Sequence, residues 1–197
     1  MSSIFTMALS PANIICLDVE FSDIESPELM SLGLASGNGA EHYAELDLEH
    51  PASAGVLSRC SDAVLHGDVV LTQWGSVPSC AGTFAQMAKR TADWLSAEAA
   101  RVQKRSGQPA FIAFDYPADF ELLVQLLQDH GHWAQVRPLV EPLNVDELTC
   151  RFDAALAAEA AFQKLRRRGL ERHHALADAL ALRAAVHAAI TGKRLAM

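Results

Sequence analysis

The chain has 197 residues, 50% of them hydrophobic and 20% charged, with a formal charge of −8 at pH 7. This is enough chain for one domain with a sizeable core, and the composition excludes a disordered or collagen-like polymer. No apolar run nears the ~20 residues that cross a bilayer, and Met1–Ala12 lacks the basic start and cleavage site of a signal peptide, so the expectation is a cytoplasmic protein with no membrane partner: a flexible leader over 1–12 and a single domain over 13–197.

Asn13–Ser22 is a short apolar run, β-branched at its start, and is predicted as a buried strand. Glu28–Ala35 and Glu41–Leu48 follow as strands, with Gly37-Asn38-Gly39 as the hairpin turn between them, so the first three strands form a meander. Ser53–His66 is ambiguous and fits a short helix. Ser79–Lys104 has helical spacing, with Phe84, Met87, Ala88, Thr91, Trp94 and Leu95 on one side, and Gly107-Gln108-Pro109 breaks it. Ala110–Phe114 is a short apolar strand, and Pro117–His130 a helix with Phe120, Leu123, Val124 and Leu127 facing inward. Pro138–Asp146 reads as irregular or a weak strand. Thr149–Arg167 is helical up to Gly169, and His174–Ile190 is a last, alanine-rich helix able to pack closely. This order predicts an α/β fold, a mixed sheet with helices on both faces.

The four cysteines, Cys16, Cys60, Cys80 and Cys150, form no CxxC pair, which argues against a zinc ribbon or thioredoxin-type site and suits reduced, mostly buried thiols. The acidic balance counts against a broad nucleic-acid face. A site for divalent cations is itself acidic, however, and basic residues cluster at Lys164, Arg166, Arg167, Arg168 and Arg172, which suits brief capture of a chain end.

Asp18 and Glu20 lie two apart in the first strand, so both carboxylates share a face. Side by side in an apolar strand they repel and lose hydration. A divalent cation offsets this, and hard oxygen ligands suit magnesium or manganese; a water-exposed strand end is the alternative. Asp119 sits in the first turn of its helix, where the dipole alone would favour an acid, and Asp115 fits a helix cap. Asp178 has mostly small and apolar neighbours in its helix and needs a partner or a metal. His173 precedes it by five residues; five residues turn an ideal helix by about 500°, leaving the side chains roughly 140° apart. His173 is therefore placed in the loop or first turn, where a mobile general base or a solvated helix-start residue fits equally, with His174 beside it as a rival.

Taken together, LDVEF at Leu17–Phe21, FDYPADFELL at Phe114–Leu123 and HHALAD at His173–Asp178 resemble the three motifs of the DEDD exonuclease superfamily in its histidine branch, the RNase T and proofreading type, and most nearly the compact mycobacterial-type exoribonucleases. Asp115 stands where many of these relatives have Asn, and competes with Asp119 as the second-motif ligand. The resemblance implies an RNase H-like sheet and a 3′–5′ exonuclease releasing mononucleotides from single-stranded or 3′-overhang RNA, or from DNA, with two Mg2+ ions that Mn2+ can replace. It implies Asp18, Glu20, Asp119 and Asp178 as metal ligands and His173 as the base. Phe21 and Ser22 would meet the terminal nucleotide, with Trp74 as a stacking wedge or a core residue, and Arg172 would reach upstream phosphates. A homodimer is expected by the same analogy. A catalytically silent RNase H-like module that binds nucleic acid or protein is the competing reading, and a histidine-aspartate hydrolase is disfavoured because the chain has no His-Asp dipeptide.

Overall fold

Six strands, β1 (Ile14–Phe21), β2 (Leu29–Ser36), β3 (Glu41–Leu46), β4 (Ala81–Gly82), β5 (Ala110–Phe114) and β6 (Val140–Asn144), form one sheet in the order β4-β3-β2-β1-β5-β6. The computed structural model describes residues 9–53, 55–66, 73–75, 77 and 80–193. β1, β2 and β3 are antiparallel neighbours, while β5 joins β1, β6 joins β5 and β4 joins β3 in parallel. The helices are α1 (Asp62–His66), α2 (Phe84–Ser106), α3 (Pro117–Asp129), α4 (Trp133–Val136), α5 (Asp146–Thr149), α6 (Phe152–Leu165) and α7 (Ala175–Thr191). A meander extended by parallel strands and covered by helices on both faces is an RNase H-like α/β fold.

The period of two along β1 sorts its side chains between two cores. Ile15, Leu17 and Val19 join Leu32 and Ile112 on one face, against α2 and α3. Ile14 and Cys16, with Ala113 of β5, meet Leu182 and Val186 of α7 on the other. α7 is apolar around most of its circumference because the sheet covers one side and α6 the other.

Three predicted elements are corrected by the structure, and a fourth, left open as irregular or a weak strand, is settled. α2 starts at Phe84, not Ser79, because Thr83 and Gln86 form a reciprocal capping box, which leaves Ala81 and Gly82 to pair with β3. Pro138–Asp146 contains a true strand, β6, paired along β5. The single helix over Thr149–Arg167 is instead α5, α6 and a 3-10 turn at Arg166–Arg168, since the extended backbone of Arg151 interrupts it and Gly169, at φ +76°, closes it. In α3 the inward stripe is Asp119, Leu122, Leu123, Leu126 and Leu127, while Phe120 and Val124 are only half-buried. The run of apolar residues at 122–127 fits several helical phases, and packing on β1 selects one. Of the expected leader, residues 1–8 lie outside the described residues; Pro11–Asn13 form a 3-10 turn capped by Ser10, and Arg105 donates to the Ala12 carbonyl at 3.1 Å, so this end is held rather than loose. Among the described residues no helix is long and apolar enough to cross a membrane.

Gly33 of β2 lies opposite Asp18 of β1 and Tyr43 of β3, on the face that α7 covers. A Cβ there would sit 2.3 Å from the Ala175 carbonyl oxygen and 2.5 Å from the Leu176 Cα, so the first turn of α7 rests directly on strand backbone. Gly33→Ala is expected to lower stability by about 1–3 kcal/mol, the usual cost of overpacking, measured by chemical denaturation; an unchanged midpoint would show that α7 shifts freely.

Candidate metal centre

Asp18 and Glu20 follow Ile14 and Cys16 on the α7 face of β1, where the strand runs past the packed core. The parallel register ends where Cys16 pairs with Ala113, and Asp18 and Asp115 each lie two residues beyond that pair. α7 brings in the third acid. Its N-cap is His174, which is buried, accepts from the Leu176 N–H at 3.2 Å through Nδ1, and stacks on Tyr43 with ring centroids 4.5 Å apart. With that end fixed over Gly33, Asp178 in the first turn reaches β1, and carboxylate oxygens of Asp18, Glu20 and Asp178 all lie within 4.8 Å of one another. Oδ2 of Asp178 is buried with no hydrogen-bond partner.

Asp119, 3% exposed, points inward from the first turn of α3. It lies outside the set of three within 4.8 Å, but its charge is felt by Asp18 and Glu20. Asp115 is exposed at the end of β5 and lines a cavity of about 290 Å³ with Asp18, Asp178 and Arg172. Thus both second-motif candidates converge here, Asp119 from the buried side and Asp115 from the open side.

Crowding shows in the titration of these groups. Burial, then the charges of Asp178, Asp119, Glu20 and Asp115, push Asp18 well above the usual carboxylate range. Burial, followed by Asp178 and Asp119, pushes Glu20 up to about 8. Burial and the Asp115 charge raise Asp119 to about 8 against a backbone hydrogen bond at Tyr116. Burial raises Asp178 to about 6, held down by hydrogen bonds from the His173 and His174 backbone and by Arg172. The donor set is all oxygen and converging, with one orphaned oxygen, and these residues fit a hard divalent cation.

The other predicted residues separate into those at this site and those away from it. His173 is exposed and has φ +61°, the described non-glycine residue with a left-handed backbone, on the turn that leads into α7. Its rival His174 is the helix cap. Arg172 lines the cavity, pairs with Glu159, and lies 4.1 Å above the Phe162 ring. Phe21, beyond a β-bulge at Glu20/Phe21, stacks on Tyr116 with centroids 6.2 Å apart. Ser22 is not available to a substrate: it is fully buried and its Oγ accepts from the Glu28 N–H at 3.1 Å, because the chain turns back there into β2. Trp74 is core-packed rather than a wedge, with its indole N–H donating to the Leu46 carbonyl at 3.0 Å; Thr72, Ser76, Pro78 and Ser79 of its loop lie outside the described residues. Of the thiols only Cys16 is fully buried, and Cys150 is exposed. Sequence reasoning missed Tyr116 and Gly33, although an isolated Gly in a strand signals close backbone approach. Compared with known proteins, the chain matches no family model and no curated protein.

A carboxyl whose pKa is higher folded than unfolded holds a proton in the folded chain over the interval between the two values, so stability falls as pH rises across it. His42 and His174, both pushed down to about 4 by burial from an ordinary 6.5, act oppositely and only below 6.5. Between pH 6.5 and 8 the raised carboxyls, Glu20 and Asp119 among them at about 8, therefore set the slope. The melting temperature in EDTA is expected to fall across that window, and millimolar magnesium or manganese to flatten the fall; identical curves with and without the cations would reject the centre.

Proposed function

We propose that this chain is a divalent-metal-dependent 3′–5′ exonuclease that hydrolyses the terminal phosphodiester bond of a nucleic acid, with RNA favoured by the motif resemblance, and that it acts in the cytoplasm. The observation that carries the proposal is the convergence of Asp178 with Asp18 and Glu20, far from it in sequence, within 4.8 Å, with a buried Asp178 oxygen lacking a partner.

In this reading Asp18, Glu20 and Asp178 would hold one cation, and Asp18 with Asp119 a second. When bound, such ions lower the pKa of a water and offset charge developing on phosphate. The protein's own groups do the rest. His173, exposed on the turn before α7, takes a proton from the attacking water at its imidazole as the new P–O bond forms and the 3′ oxygen leaves. Arg172, on the cavity wall, offers a cation to the phosphate backbone. The Phe21 and Tyr116 rings, with Tyr116 48% exposed, provide a face for the terminal base.

Asp18→Asn and Asp178→Asn are each expected to abolish nucleotide release from 3′-overhang RNA in magnesium, in a time course run beside an EDTA control. Asp18→Asn should also raise the metal-free melting temperature at pH 8, since it removes a carboxyl whose ionised form burial and the neighbouring acids disfavour. Undiminished release by either variant would reject this site. Tight RNA binding by the native chain with no release in manganese would instead favour a silent binding module.

His173→Ala is expected to lower kcat about 10²- to 10⁴-fold, the usual contribution of a general base, with manganese affinity by calorimetry unchanged. A variant as active as the native chain would remove His173 from the mechanism.

A further inference from the structure

We infer that Gln73 is a positioning residue for the turn that carries Arg172 and His173, an assignment that rests on the nuclease reading. Gln73 lies nearly a hundred residues away in sequence and is 9% exposed. Its Nε2 donates to the Arg172 carbonyl at 2.9 Å, and its Oε1 accepts from the Glu171 N–H at 2.7 Å. One side-chain amide thus satisfies both a donor and an acceptor of the same stretch of backbone, as a neighbouring strand would.

The next two residues anchor the clamp to the sheet. The Trp74 indole N–H donates to the Leu46 carbonyl at 3.0 Å, and the Gly75 N–H donates to the buried Glu45 carboxylate at 3.1 and 3.2 Å. Gln73 to Gly75 therefore bridge β3 to the turn before α7. That turn needs an outside hold. His173 sits at φ +61°, a conformation that a side-chain-bearing residue keeps only where its surroundings impose it. Its C-terminal side is fixed by the His174 cap, and its N-terminal side by Gln73. Asp178 is held by α7 itself, and the Arg172 side chain by Glu159 and the Phe162 ring, so the clamp acts on the base more than on either.

The test uses Gln73→Met, which keeps the volume but neither hydrogen bond, beside Gln73→Ala, in the full chain with 3′-overhang RNA and manganese. A misplaced base costs on the order of 100-fold. The expected result for both variants is a kcat lower by about that factor with KM and manganese affinity unchanged, and no further loss when Gln73→Met is added to His173→Ala. An active native chain with an equally active Gln73→Met overturns the role, as does an equal further loss in the His173→Ala background, since the effect would then bypass the base. A native chain that binds manganese and releases no nucleotide overturns the nuclease reading, and this role with it.

Discussion

The first turn of α7 lies on bare strand backbone at Gly33, and the site depends on that contact. The residue across the sheet from Gly33 is Asp18. Any side chain at Gly33 would hold the helix off the sheet and carry Asp178 away from the other two acids. The His174 cap and its stacking on Tyr43 fix the helix's height and rotation at the same point. Close approach is thus enforced by the packing of small residues, and the acids are brought together as a consequence.

Such an arrangement is unfavourable for the protein alone. Burial raises the pKa of all four carboxyls and neighbouring carboxylates add to the shift, so the cluster by itself is a cost to folding. The left-handed backbone at His173 adds local strain. The cost is offset on the other face of β1, where Ile15, Leu17, Leu32 and Ile112 pack against α2 and α3. β1 serves both sides at once, one residue feeding the apolar core and the next carrying a carboxyl of the cluster.

Asp115 and Asp119 have different places in this scheme. Asp119 is buried, on the α3 stripe that faces the sheet, and adds to the repulsion felt by Asp18 and Glu20. Asp115 follows β5 and lines the cavity with Arg172. An acid at each position gives the carboxylate cluster a buried flank and an exposed one.

The sequence by itself determined the alternation of β1, the meander and its hairpin, the strand at Ala110–Phe114 and the placement of Asp18 and Glu20 on one face, because these follow from side-chain period and turn chemistry within a few residues. It also marked Asp178 as anomalous, since an acid amid alanines is costly wherever the helix packs. The phase of α3, the pairing of β6, the burial of Ser22, the tethering of Trp74 and the capping role of His174 were decided only by tertiary structure. Each of these depends on a partner far away in the chain, and local periodicity carries no information about which distant backbone a side chain will meet.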